Sequence, residues 1–458
     1  MLSLRAPLAR GMTTLDRSLF QKTLNVAAAT VHDPRNIAKY RKQLLKGEEL
    51  LAWDRLDSCR PDPVEAGKKC LLLKPEVKAD VPSTWGPVVQ EGVSAKELSV
   101  VPFDVDINYD YWGYLDVMNS IIPEDLHDEI PVGFNIAGHV AHLNLRERYL
   151  PFKTIIAQVI LDKNHKLRTV INKVGNVGSE SRFRTFAYEV LAGPDDMDVE
   201  VRENDCVFRF DYSKVYWNSK LETEHTRLVK SFQPGEVVCD VMAGIGPFAV
   251  PAAKRGVFVF ANDMNPESYR YLKDAVKRNK VSQYVRPFNK DGLDFIRESA
   301  HIVLDAHKAG DAAIIQPKVS RKLAPDAPRP VAVRVPVPPT IAHFVMNLPA
   351  SALEFTHRFR GIYHGLESLF EPHTATKLPL VHVHCFAAKQ DDEVPLEEIC
   401  ARLQSELGIR FTPGDADVPG EVSIYKVRDV APKKRMFCAS FRIPPEIAFA
   451  APPTSTTS

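Results

Sequence analysis

Two glycines, several carboxylates and one planar amide carry the chemistry that this chain suggests. The stretch VCDVMAGIGPFAV, residues 238–250, reads as a buried strand ending in a small-residue turn, with Pro247 placed to open a helix. Gly244-x-Gly246-x-x-Ala249 after a strand fits a dinucleotide-type fingerprint. Asp263, at the end of the next apolar run, is placed to accept from a ribose hydroxyl. Enzymes of NAD and of S-adenosylmethionine (SAM) both use such a turn and such an acid, so these residues leave the ligand open. Further on, FVMNLPASALEF ends a strand at Asn347-Leu348-Pro349. There a planar amide beside a stiffened backbone either holds the edge of a nitrogenous base or simply stops the strand. Upstream, in SKLETEHTRLVKSF, Leu221, Glu224, His225, Leu228 and Phe232 share one helical stripe, and Ser219 with Glu222 has the spacing of a capping box. A carboxylate on an inward stripe is where desolvation raises the pKa toward useful basicity, and a salt bridge to Arg227 is the competing use.

The elements that must position these groups follow from periodicity. From residue 213 onward strands and helices alternate: EVVCDVM, VFVFAND, VRPFNKD, IAHFVMN and LPLVHVHCFAA, with helical stretches between them, SALEFTHRFRGIYHGL among them. EVSIYKV and RMFCASFRI then follow with no helix between them. This predicts an α/β, Rossmann-like doubly wound parallel sheet with an antiparallel edge hairpin, binding its ligand at the carboxyl ends of the strands. Residues 131–212 have a smaller α/β pattern, and 30–130 mix charged helical stretches with proline-broken segments, the pattern of an accessory domain. The expected organisation is thus 1–29 as a leader or disordered segment, 30–130, 131–212, 213–446, and a tail from 447 to 458. A segment at 317–340 holds seven prolines and five Lys/Arg against one Asp and reads as an extended basic loop.

Composition limits the partners. The net charge of 458 residues is +1, from 59 basic and 58 acidic side chains, which excludes a nucleic-acid coat and leaves local basic patches. Nine Lys/Arg against three Asp/Glu between 141 and 186 form one such patch, of a size to meet phosphates. Seven scattered cysteines without a C-x-x-C pair argue against a disulfide framework and against a zinc site, so no metal is expected. No apolar run approaches the roughly 20 residues that span a bilayer, and no membrane partner is expected. MLSLRAPLARGMTT has Arg5 and Arg10 and no acid before Asp16, the composition of a mitochondrial presequence.

Taken together, RFRTFAYEVLAG, DYSKVYWNSKLETEHTRL, VCDVMAGIGPFAVPAAKRG, ANDMNPESYRYLKDAVKRNK, NKDGLDFI and HFVMNLPASALEF resemble the eukaryotic and archaeal tRNA (guanine-37, nitrogen-1) methyltransferases. The resemblance covers roughly 130–445 and is looser over 30–130. It implies a class I SAM-dependent methyltransferase domain, a small α/β RNA-binding domain gripping the anticodon stem-loop, and an N-terminal domain sensing the tRNA elbow. It implies Glu224 as general base, Arg184 stabilising charge on O6, Tyr216 against the flipped guanine, and Asn347 with Pro349 shaping the base pocket. For SAM it points to His225, Asp263, Met264, Asp291, Gly292, Asn347 and the backbone of Gly244 and Gly246. It also implies a monomer found in mitochondrial matrix, cytoplasm and nucleus, and in some relatives a second substrate, inosine 37. The basic insertion at 317–340 is absent from the shortest family members. The rival within the same chemistry transfers an aminocarboxypropyl group from SAM to the same nucleotide. An NAD-dependent dehydrogenase lacks a hydride-handling pair here, and a non-catalytic RNA scaffold would not need every catalytic position filled.

Overall fold

A computed structural model of the protein describes residues 4–174, 183, 185–316, 331–371, 377–388, 395–431 and 434–451. Contacts divide the chain into two units. The first holds 1–134, 145–170 and 190–193, and the second holds 135–144, 171–189 and 194–458. The stretch 131–212, expected as a domain of its own, is therefore shared between them.

In the first unit a ten-residue strand, Lys22–Val31, pairs along its whole length with Leu98–Ile107 and on its other edge with Lys69–Leu72. Its Ala27, Ala29 and Val31 are buried with Tyr40 and Leu44 of the helix Ile37–Lys46 and Val89 of the helix Pro87–Ser94. Small residues in this strand let the helices approach the sheet closely. The segment 1–29, expected as a leader or disordered, thus contributes an interior strand from Lys22 onward. It is tied further upstream, where the Ala9 amide donates to Ser120 O at 3.1 Å and Arg10 to Asn119 O at 2.8 Å.

The second unit carries the alternating pattern. The main strands of its large sheet are β1 (Val237–Asp240), β2 (Phe258–Asn262), β3 (Val285–Phe288), β4 (His343–Met346), β5 (Leu380–Ala388), β6 (Glu421–Ala431) and β7 (Lys434–Arg442). They lie in the order β3-β2-β1-β4-β5-β7-β6, parallel through β5, with β7 antiparallel to both β5 and β6 and the short strand Thr412–Pro413 beyond β6. The edge hairpin expected from sequence is present. Strand order reverses between β1 and β4, so the crevice at their carboxyl ends is where such sheets bind ligands.

Two elements differ from expectation. SALEFTHRFRGIYHGL forms the 3₁₀ helix Ala352–Phe359 rather than a longer α-helix. Thr356 Oγ1 donates to Leu353 O at 2.6 Å and His357 Nδ1 lies 2.5 Å from Glu354 O, so side chains take carbonyls that an α-helix would use. Residues 447 and 448, expected to open the tail, belong to the fold: Ile447 and Ala448 are buried in the helix Pro445–Ala448, and their carbonyls accept from Gly361 and Tyr363. The two arms of the basic insertion meet as a ribbon, Ala312–Ile315 against Val333–Pro336, and residues 317–330 lie outside the described residues. Among the described residues no helix is long and apolar enough to cross a membrane.

Because Lys22–Val31 is paired on both edges, a chain starting at residue 32 should be insoluble or melt without a cooperative transition. A chain starting at residue 5 should melt as the full chain does in a thermal scan followed by circular dichroism.

Candidate active site

The turn after β1 is dictated by backbone geometry. Gly244 has φ +56° and Gly246 φ +97°, both left-handed. A Cβ on Gly246 would meet Leu272 Cδ1 at 2.7 Å and Val250 Cγ2 at 2.9 Å, so glycine lets the turn press onto its neighbours. A Cβ on Gly244 would meet nothing within 4 Å, because this residue faces a cavity. That cavity is also lined by His225, Asp263, Met264, Asp291, Gly292 and Asn347, all expected from sequence. Gly246 shapes the turn without lining the space.

Asp263, at the end of β2, accepts from the Gly244 amide at 2.8 Å and the Asn265 amide at 2.9 Å. Burial pushes its pKa up, while those amides and the Ser268 hydroxyl pull it back. A carboxylate has about four lone-pair sites, so capacity for a further donor remains. Asp291 caps the helix Gly292–Lys308 by accepting from Leu293 N at 2.9 Å, which fixes the Asp291-Gly292 corner against the cavity. Sequence reasoning missed Asn262, wholly buried on β2. Its side chain donates to Val241 O and Lys290 O, each at 3.1 Å, and accepts from Lys290 N at 2.9 Å, joining the three strand ends around the cavity.

A smaller cavity of about 40 Å³ adjoins the first and shares Tyr216, Asn218, Leu221 and Asn347 with it. Pro349, Phe386, Arg428, Val430 and Met436 complete it. Tyr216, Asn347 and Pro349 are thus brought together as expected. Asn347 Oδ1 is buried and, among the described residues, has no hydrogen-bond partner, a condition that a bound donor would relieve. Arg184 lies outside the described residues.

Glu224 lies on the helix Glu222–Ser231, whose stripe of Leu221, Glu224, His225, Leu228 and Phe232 is buried as expected. Leu221 and His225 line the larger cavity, whereas Glu224 lines neither. Its carboxylate is 1% exposed and held on two sides. Arg227 donates through Nε to Oε2 at 2.7 Å and through Nη2 to Oε1 at 2.8 Å, and His384 Nε2, from β5, lies 2.8 Å from Oε1. The expected rise in basicity is therefore corrected. Burial does work to raise the pKa, but hydrogen bonds from Arg227 and His384 outweigh it and lower it to about 2. Conversely, burial opposes the imidazolium of His384, while Cys438 and Glu224 beside it hold its pKa above the ordinary range. The expected capping box is also absent. A single 3₁₀ turn, Ser219–Leu221, precedes the helix and moves the cap to Asn218, which accepts from Lys220 N at 3.1 Å. His225 is oriented by Glu203, whose Oε1 lies 2.5 Å from Nδ1.

Glu224, His384 and Cys438 bring donor atoms within 4.8 Å of one another, a spacing suited to a metal. The Arg227 guanidinium already engages both carboxylate oxygens, and its positive charge disfavours a second cation there. At the end of β1, Asp240 is wholly buried with both carboxylate oxygens unpartnered among the described residues, and burial drives its pKa well above the usual range.

Comparison with known proteins gives this site its context. The TRM5/TYW2 methyltransferase domain matches residues 199–314, and the TYW2 N-terminal domain matches 114–196. A tRNA (guanine(37)-N(1))-methyltransferase of Fusarium vanettenii is 63% identical over 452 residues, covering 98% of this chain and 97% of its own. The chain belongs to this family. A Neurospora crassa protein of the same name is 62% identical over 444 residues, covering 96% and 93% of the two chains. Among solved structures, Trm5b of Pyrococcus abyssi superimposes with a TM-score of 0.57 at 22% identity, over 92% of this chain and 99% of that one, which supports the fold. The family's co-substrate, SAM, fits what the cavity offers. The open face of Gly244 leaves room at the turn, and Asp263 and Asp291 line the same cavity.

Two outcomes follow. Asp263→Ala should weaken SAM binding, measured by calorimetry, by roughly 1–3 kcal/mol. The lowered pKa of Glu224 gives stability that is complete above its unfolded value of 4.5 and is lost as pH falls toward about 2. Glu224→Gln should therefore flatten the acid limb of denaturant-measured stability across that window.

Proposed function

We propose that the protein transfers the methyl group of SAM to nitrogen 1 of guanosine 37 in tRNA, next to the anticodon. One observation carries this reading. The cavity at the glycine turn borders the smaller cavity of Tyr216, Asn347 and Pro349, with Tyr216, Asn218, Leu221 and Asn347 common to both. A donor and a base can meet only across such a border.

Bound SAM supplies an electrophilic methyl group. The chain's own residues have three tasks. Guanine nitrogen 1 carries a proton and is a weak nucleophile, so a group must take that proton. Glu224 is the proposed acceptor, and to act it gives up hydrogen bonds from Arg227 and His384 to face the base. Charge moving onto O6 needs a cation, the role proposed for Arg184. Asn347, with its unpartnered Oδ1, offers an acceptor to the N–H groups of the base. The Fusarium vanettenii and Neurospora crassa relatives carry the methyltransferase name, which favours methyl over aminocarboxypropyl transfer.

The anticodon stem-loop and elbow as contact regions, a monomeric state, and residence in mitochondrial matrix, cytoplasm and nucleus are parts of the same proposal. Import would have to use residues ahead of the buried Phe20 and the strand Lys22–Val31. For phosphate contact, the basic stretch divides. Arg146 and Arg148 face Glu129, and Lys163 donates to Tyr109 O at 2.6 Å with its ammonium 3.7 Å from the centre of the Tyr109 ring. Lys166 and Arg168 are exposed and are the proposed phosphate contacts.

Incubation with labelled SAM and unmodified tRNA transcripts, followed by nucleoside mapping, should give 1-methylguanosine at position 37. Glu224→Gln should slow single-turnover transfer by on the order of 10²–10⁴-fold with SAM affinity unchanged. Neutralising Lys166 and Arg168 should weaken tRNA binding and flatten its salt dependence, by up to about 0.9 log unit for each phosphate no longer neutralised. An unchanged slope would move the phosphate path elsewhere.

A further inference from the structure

The edge hairpin reaches the smaller cavity by an irregularity. Along β6 and β7 the pairing register shifts between Lys426 and Arg428 and again between Asp429 and Ala431. Bulges re-aim side chains, and here Arg428 and Val430, two residues apart, both line the cavity, with Met436 directly across from Arg428. The neighbouring charges are paired. Lys426 lies 3.3 Å from the Asp429 carboxylate and Arg435 Nε 3.1 Å from it. Arg428 differs: its Nε donates to the backbone carbonyl of Asp429 at 3.2 Å, and among the described residues it makes no ion pair with a carboxylate. A half-buried arginine that makes no ion pair among the described residues thus lines a space also lined by Asn347, whose Oδ1 is unpartnered.

A cavity of about 40 Å³ takes the edge of a purine rather than a nucleoside. With nitrogen 1 turned toward the glycine-turn cavity, two edges are left for the smaller one, N2/N3 and O6/N7, and only the second pairs two acceptors that suit an arginine. Two acceptors side by side match the two-pronged donor set of an arginine. We propose that Arg428 binds the O6/N7 edge of the target guanine, both selecting guanine and drawing the charge that develops on O6 as the nitrogen 1 proton leaves. This rests on the reading that guanosine 37 enters the smaller cavity. It adds a second cation, from the far end of the chain, to the one proposed in Arg184.

The test is a double-variant cycle on the full-length protein with tRNA carrying guanosine or 7-deazaguanosine at position 37, which replaces the N7 acceptor by C–H. Single-turnover transfer is measured at saturating tRNA and SAM. Arg428→Ala should slow transfer to guanosine roughly 5- to 150-fold, and Arg428→Lys, which keeps charge but not the fork, should fall between. The 7-deaza substitution should slow the wild-type protein yet cost Arg428→Ala little more. Multiplying effects of the two changes would overturn the proposal, as would an Arg428→Ala variant with normal saturated rate, weaker tRNA binding and a salt slope reduced by about one, the signature of a phosphate contact. An unchanged melting temperature and SAM affinity in Arg428→Lys separates these outcomes from misfolding. Failure of the wild-type protein to methylate guanosine 37 would instead sink the functional reading itself.

Discussion

A carboxylate in an apolar interior has to be neutralised, and how Glu224 is neutralised sets much of the second unit. Removing an ion from water costs several kcal/mol, recovered only through well-placed opposite charge and hydrogen bonds. Arg227, one turn along the same helix, and His384, on β5, provide them. The helix is thereby locked in rotation against the sheet. Once Glu224 points inward at β5, the helical period places His225 and Leu221 at the larger cavity, and the chain entering the helix places Tyr216 and Asn218 at the border of both cavities. A lock of this kind also bears on chemistry, because a carboxylate held by two cationic donors is a weak base until they let go.

The ligand end of the sheet is built by a different device. Asn262 joins β1, β2 and the chain following β3 through one side chain, and Asp263 beside it ties the glycine turn to the start of the next helix. Asn289 adds two further bonds, to the carbonyls of Asp263 and Met264 at 2.7 and 3.1 Å. These amides and carboxylates turn three separate loops into one rigid wall, the preorganisation that a binding site needs.

Much of this was legible in the sequence because it is local. Alternating strand and helix periods marked the doubly wound sheet, and glycine spacing marked the turn. The inward stripe of the helix at 222–231 could be counted off at 3.6 residues per turn. What could not be read depends on partners distant in sequence. Nothing near Glu224 announces His384, 160 residues away, so only the Arg227 half of the clamp on its carboxylate could be weighed from the sequence. Asn218 displaced the expected capping box because a single 3₁₀ turn, which periodicity cannot distinguish, precedes the helix. Arg428 reaches its cavity through register shifts that only strand pairing defines. The strand Lys22–Val31 was obscured because the basic, acid-free run ahead of it, MLSLRAPLARGMTT, suggested a leader reaching to residue 29.

The ribbon of Ala312–Ile315 with Val333–Pro336 clips together the two ends of the proline-rich insertion before the chain returns to β4. Closing a loop on fixed ends costs free energy that grows only with the logarithm of its length, about 0.6 kcal/mol for each doubling. The catalytic sheet is therefore insulated from what lies beyond the clip. Changes of length beyond the clip should thus cost the fold little, whatever they do to the charge and proline content of the insertion.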